Sequence, residues 1–204
     1  MEIFLATGNE DKRREIQDLF PGLTFLLPRD RGLPWDVKET GTSFFENALL
    51  KAAALSAGLG PGRPVLADDS GLCVDLLAGG PGVESARFGS VPGAKPLSAE
   101  DRNALLLQTL EQRERESPET GRGARFVCAL VLFLSPYRIY SVQEAVEGEI
   151  LKAPRGSGGF GYDPLFFLPS LGKTMAELSR EEKNRRSHRG LAGAKMNLLL
   201  RSLG

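Results

Sequence analysis

The sequence predicts an α/β fold, and three observations carry that reading. A short apolar strand pattern at the N-terminus runs directly into a polar turn and an amphipathic helix. Capped helical patterns recur between later strand patterns. One run, ARFVCALVLFLS, is apolar on both alternating faces, as a strand covered on both sides is. The 204 residues fit one large domain or two small ones, and 41% hydrophobic residues suffice for a core. Lys plus Arg number 26 and Asp plus Glu 26, so no global field draws the protein to a nucleic-acid polymer or a membrane. No apolar run approaches the roughly 20 residues of a membrane span, and no export-signal pattern opens the chain, which predicts a cytoplasmic protein.

Taken in order, residues 2 to 7 form the first strand, followed by TGNEDKRREIQDLF. Thr7 and Asn9 are cap-type residues, and Ile16, Leu19 and Phe20 share one helical face. Such a strand, turn and helix N-terminus is a natural phosphate seat, because free amides and the helix dipole point there, and Lys12 reaches the same anion. The Gly-Lys-Ser/Thr ending of a Walker A loop is absent. Residues 23 to 27 read as a second strand. Ser43 and Glu46 make a capping box for a helix whose buried stripe is Phe44, Ala48, Ala52 and Leu55. Asn47 and Lys51 share the adjoining face, which is either solvated or lines a cleft.

In ADDSGLCVD, residues 65 to 67 read as a buried strand that ends in a turn at Ser70-Gly71. Asp68 and Asp69 then sit at a strand end, and alternation sends them to opposite faces, so they should not share one role. Two readings stay open here. One acid holds a metal ion or a water while its neighbour braces the turn, or the four residues are a solvated turn. GLCVDLL continues as a strand, and AGGPGVESARF is a loop. Ser98 caps the periodic helix that follows, and ARFVCALVLFLS pairs with YRIYSVQEAVEGEIL as a hairpin through residues 135 to 137.

Gly156, Gly158 and Gly161 satisfy G-x-G-x-x-G, but no helix can start at Tyr162-Asp163-Pro164 and the preceding strand reads as antiparallel. That context excludes a dinucleotide fold and leaves a flexible, close-approach loop presenting Phe160, Tyr162 and Asp163. Within SREEKNRRSHRG, Lys183 and His188 would splay by about 140° on a continuous helix. Joint action therefore requires a loop or turn between them, with Ser187 as a cap. The last helix places Leu191, Ala194 and Leu198 on one face. Cys73 and Cys128 lie in apolar runs and read as small buried hydrophobes, while a lone His188 excludes a His-rich metal site.

Six blocks in order, ATGNEDK (6–12), ETGTSFFENALLKA (39–52), ADDSGLCVD (67–75), GGPGVESARF (79–88), GGFGYDPLF (158–166) and SHRGLA (187–192), resemble the inosine triphosphate pyrophosphatase family. These are the house-cleaning enzymes for non-standard purine nucleoside triphosphates such as ITP, dITP and XTP. The resemblance implies a long, twisted, mixed central sheet flanked by helices, with two lobes and a deep central cleft. It implies a Mg²⁺-dependent homodimer that splits a nucleoside triphosphate into a monophosphate and pyrophosphate. By motif, Asp69 is the implied general base and, with Glu39, the implied Mg²⁺ ligand. Thr7, Gly8, Asn9, Glu10, Asp11, Lys12, Lys51 and Ser70 are the implied phosphate contacts. Phe160, Gly161, Tyr162, Asp163, Lys183, His188 and Arg189 are the implied base and sugar pocket. Asp11 departs from the family pattern, in which bacterial members usually carry Gly before the lysine, and an acid there disfavours backbone phosphate contacts.

Two rival functions are weaker on the sequence. A Ser70–His188–Asp hydrolase triad lacks the G-x-S-x-G elbow, since Ser70 stands in D-D-S-G-L. An RNA-binding module built on the basic 183–189 segment conflicts with zero net charge and with the carboxylate pair.

Overall fold

Residues 2–91 and 93–203 are described by a computed structural model. The strands are β1 (Glu2–Leu5), β2 (Thr24–Leu26), β3 (Val65–Val74), β4 (Gly123–Ser135), β5 (Arg138–Ile150), β6 (Phe166–Leu168) and β7 (Lys173–Thr174). The helices are α1 (Glu10–Leu19), α2 (Phe44–Leu59), α3 (Ala99–Glu116), α4 (Arg180–Arg186) and α5 (His188–Ser202). The strands hydrogen-bond in the order β2-β1-β3-β4-β5-β6-β7. β1 pairs in parallel with β2 and β3, and β6 pairs antiparallel with β5 and β7, so the sheet is mixed as expected. Among the described residues no helix is long and apolar enough to cross a membrane.

The chain divides into two units, the first Met1–Ser70, Cys128–Glu144 and His188–Gly204, the second Gly71–Val127 and Ala145–Ser187. In the first, Ile3, Phe4 and Leu5 are buried in succession, because a parallel strand is covered on both faces. Ile16 and Phe20 of the α1 region pack onto this layer with Phe25, Leu66 and Leu130. Ser43 and Glu46 close their capping box, and α2 buries Phe44, Ala48, Ala52 and Leu55 as its spacing predicts. In the second unit, Leu106 and Leu110 of α3 pack with Leu72, Val74, Phe126 and Phe166. Ser98 caps α3 by accepting the Asp101 amide. Pro136 and Tyr137 form the turn between β4 and β5.

Three expectations are corrected. Ser70-Gly71 is not a turn: β3 runs without a break through Asp-Asp-Ser-Gly to Val74 and then enters a 3-10 turn at Asp75–Leu77. A strand between two hydrogen-bonded neighbours keeps its backbone satisfied, and ion partners make the buried acids tolerable, so local turn propensity is overridden. The last helix starts at His188, and its buried face is Arg189, Ala192, Gly193 and Met196, whereas Leu198 is 68% exposed. Small residues let α5 approach α1 closely; a Cβ on Gly193 would lie 2.9 Å from Leu19 Cδ1. The segment between Lys183 and His188 is not a loop: α4 continues to Arg186, and the break is Ser187 alone, in an extended conformation.

Candidate active site

The first unit holds the acid pair. Asp68 and Asp69 are both buried, and their partners differ, as alternation along β3 requires. Asp68 lies 2.5 Å from Lys12 Nζ and accepts from Arg189 Nε at 3.0 Å. The Cys128 thiol donates to Asp68 Oδ2 at 3.1 Å, and the Ser70 hydroxyl donates to Oδ1 at 3.2 Å. Burial alone would push the Asp68 carboxyl up, but Arg189 and Lys12 outweigh it and hold the group well below the usual carboxylate range. Burial, with the Asp68 charge beside it, pushes the Cys128 thiol well up, so this cysteine is an inert, protonated donor.

Asp69 has a different environment. Lys51 Nζ lies 2.6 Å from Asp69 Oδ1 and 2.8 Å from Glu39 Oε1. Burial pushes the Asp69 carboxyl up, and the Lys51 and Lys12 ammoniums do not reverse this. Burial works against the Lys51 charge, but Asp69 and Glu39 together hold its pKa up, so it remains an ammonium. Asp69 Oδ2 is buried with no hydrogen-bond partner. Asn47, also buried, accepts the Gly41 amide at 2.8 Å and tethers the segment that carries Glu39. The expected cleft-lining face of α2 is therefore a buried polar face.

These residues fit a Mg²⁺ ion. Two carboxylates, one with an orphaned oxygen, give hard donors, and Mg²⁺ is commonly held by one or two carboxylates plus water and phosphate oxygens. Among the described residues no group of three or more His, Cys, Asp or Glu converges to hold a metal ion.

The predicted phosphate seat is modified. Asn9 Oδ1 accepts the amides of Asp11 and Lys12 at 2.8 and 3.1 Å, and Thr7 Oγ1 accepts the Asn9 amide. Two first-turn amides that the sequence reading left free are thus capped by Asn9 itself. Gly8 precedes this cap and Glu10 opens α1. Asp11 pairs with Arg14, which blunts its charge beside the seat.

In the second unit the glycine loop is pinned rather than flexible. Asp163 Oδ2 accepts the Phe160 amide at 2.8 Å and lies 2.7 Å from Lys183 Nζ. Gly159, at φ 71°, permits this closure; a Cβ there would lie 2.0 Å from Asp163 Oδ2. Lys183 Nζ stands 4.9 Å from the Phe160 ring centroid. Tyr162 is not presented outward: its ring is buried in the core, its hydroxyl donates to Ser85 O, and burial pushes its pKa up to about 12. Asn103 donates to Gly161 O at 3.1 Å. Phe160 is therefore the half-buried aromatic that a ring can reach.

Arg189 is 2% exposed and engages Asp68, Ser70 and Glu15. The sequence placed it beside Lys183 and His188; the structure ties it to the acid pair. His188 is buried at the first turn of α5. With Arg189 donating to Ser70 Oγ at 2.7 Å and that hydroxyl directed to Asp68, the serine-triad reading loses its nucleophile. Glu15, Asn47, Asn103 and Ser85 were not among the expected site residues. Asn47 was signalled by its i,i+4 spacing to Lys51; the other three carry no local pattern.

The fold and the site together define an α/β enzyme class suited to phosphate chemistry: buried carboxylates, lysines and a helix N-terminus on a mixed sheet. The chain belongs to the Ham1 family, whose profile matches residues 3–198. It is 50% identical over 192 residues to the dITP/XTP pyrophosphatase of Treponema denticola, covering 94% of each chain. It is 48% identical over 194 residues to the dITP/XTP pyrophosphatase of Thermus thermophilus, covering 94% of this chain and 88% of that one. A solved HAM1 protein from Coxiella burnetii superposes with a TM-score of 0.85 at 36% identity, over 99% of each chain.

Proposed function

We propose that the protein hydrolyses the α–β phosphate linkage of non-standard purine nucleoside triphosphates, ITP, dITP and XTP, giving the monophosphate and pyrophosphate. It thereby removes damaged purines from the nucleotide pool. The observation that carries this reading is Asp69: a buried carboxylate with one oxygen on Lys51, the other unpartnered, and Glu39 beside it. Similarity to proteins named dITP/XTP pyrophosphatase supports the substrate class.

In this reading Asp69 takes the proton of an attacking water. The oxygen attacks the α-phosphorus, the α–β bridge breaks, and the electron pair leaves on the pyrophosphate. Lys12 and Lys51 meet the charge that grows there, with Thr7, Asn9 and Ser70 as neutral partners. Glu39 and Asp69 would hold Mg²⁺, which when bound would supply further positive charge to the triphosphate. Phe160 gives the purine a stacking face, and Lys183 and His188 donate toward a 6-oxo group. Arg189 acts through Asp68 and Ser70 as a positioning residue. Residues 1–204 act as one catalytic domain, with the two-lobed, clefted architecture and the cytoplasmic homodimer that the family resemblance implies.

Product analysis tests the reading. ITP with Mg²⁺ should give inosine monophosphate and pyrophosphate by ³¹P NMR. Formation of the diphosphate and orthophosphate would contradict it.

A further inference from the structure

Lys51 occupies a particular place in the first unit. Its ammonium is within hydrogen-bond distance of both carboxylates that fit a divalent cation, at 2.8 Å from Glu39 and 2.6 Å from Asp69. It reaches them from the buried face of α2, where it is only 6% exposed. A lysine whose sole task is to clamp an incoming phosphate would extend toward solvent, as a hydrated ammonium on a flexible stem does. This one is folded into the acid pair instead. Its ammonium bridges the buried Asp69 and the partly buried Glu39, and removing one partner from such a charge set weakens the compensation of the others.

We propose that Lys51 is the internal counter-ion of Glu39 and Asp69, competing with the divalent cation for their oxygens until nucleotide binding draws its ammonium onto the triphosphate. This rests on the catalytic reading above and adds to it a coupling between the two ligands. The cation and the lysine are both positive and contend for the same carboxylate oxygens, so the cation binds weakly to the nucleotide-free protein. A triphosphate offers Lys51 alternative oxygens, which frees the carboxylates. By linkage, nucleotide then tightens cation binding and the cation tightens nucleotide binding by the same factor. Asn47, anchored through Gly41, holds the Glu39 segment in place during the exchange.

The test is direct binding of Mn²⁺, as a spectroscopic substitute for Mg²⁺, to nucleotide-free protein, read by electron paramagnetic resonance. Lys51→Met should bind Mn²⁺ about tenfold or more tightly than wild type, whereas Lys51→Arg, which keeps a cation in place, should bind as weakly as wild type. Melting temperatures give a second readout. Lys51→Met should melt lower than wild type without metal, and Mn²⁺ should restore it by a larger shift than wild type shows. Equal Mn²⁺ affinity in wild type and Lys51→Met, with binding abolished in Glu39→Gln, would overturn the counter-ion role and leave the catalytic reading standing. No Mn²⁺ binding in any variant, with or without a slowly hydrolysed triphosphate analogue, would overturn both.

Discussion

Asp68 and Asp69 are neighbours in sequence and opposites in chemistry, because adjacent side chains on β3 meet different partners. Asp68 is locked by Arg189 and Lys12, and Asp69 keeps an oxygen for a proton. Asp69→Asn should therefore abolish pyrophosphate release while the protein still folds, since an amide neither accepts the water's proton nor gives a cation its full charge. Release assays paired with circular dichroism check this; near-normal turnover by the variant would remove Asp69 from the base role. Arg189→Met should act on stability, because it takes one of the two cations from the fully buried Asp68 carboxylate and a partner from Glu15. The expected loss is about 3–5 kcal/mol in denaturant unfolding, partly recovered by the double variant with Asp68→Asn. The pH sign follows from the depressed Asp68 pKa: its contribution is fully present above the ordinary carboxylate range and is lost as pH falls through the folded value. Asp68→Asn should accordingly flatten the acid limb of the stability curve.

At the scale of elements, the loop before β6, which carries the proposed base pocket, is closed through one backbone position. Gly159→Ala would push a methyl group into Asp163 and release both the Phe160 amide and Lys183. It should raise KM for every nucleoside triphosphate, whereas Lys183→Met should chiefly narrow the preference for ITP over ATP. Steady-state kinetics on both nucleotides separates these outcomes. Much of this level was legible in the sequence. The α2 capping box, the Ser98 cap, the α2 stripe, the doubly buried β4 and the turn before β5 all follow from spacing and turn chemistry that act locally. The uninterrupted β3 was not legible, because its Ser70-Gly71 is held straight by strands distant in sequence. Nor was the α5 face, where close approach to α1 selected Ala192 and Gly193 over the leucines. Among site residues, the motif blocks exposed the acids and lysines, but the Arg189–Asp68 pair spans 121 residues and has no local signature.

For the whole molecule, zero net charge means that selectivity must arise from local groups rather than from a general attraction to polyanions. Inosine and xanthosine present an acceptor oxygen at C6, and adenosine presents an amino donor. Lys183 offers only donors. A donor facing the adenine amino group leaves buried polar groups unpaired, at about 1–3 kcal/mol for each. Two such mismatches, at Lys183 and His188, would separate the nucleotides by about two to four orders of magnitude. The decisive measurement is pyrophosphate release with Mg²⁺ from ITP, XTP and ATP, compared as kcat/KM. ITP and XTP should each exceed ATP by at least about a hundredfold, within the range those mismatches set. Equal values for ATP, or no pyrophosphate from ITP, would contradict a pyrophosphatase selective for non-standard 6-oxopurines and built on Asp69.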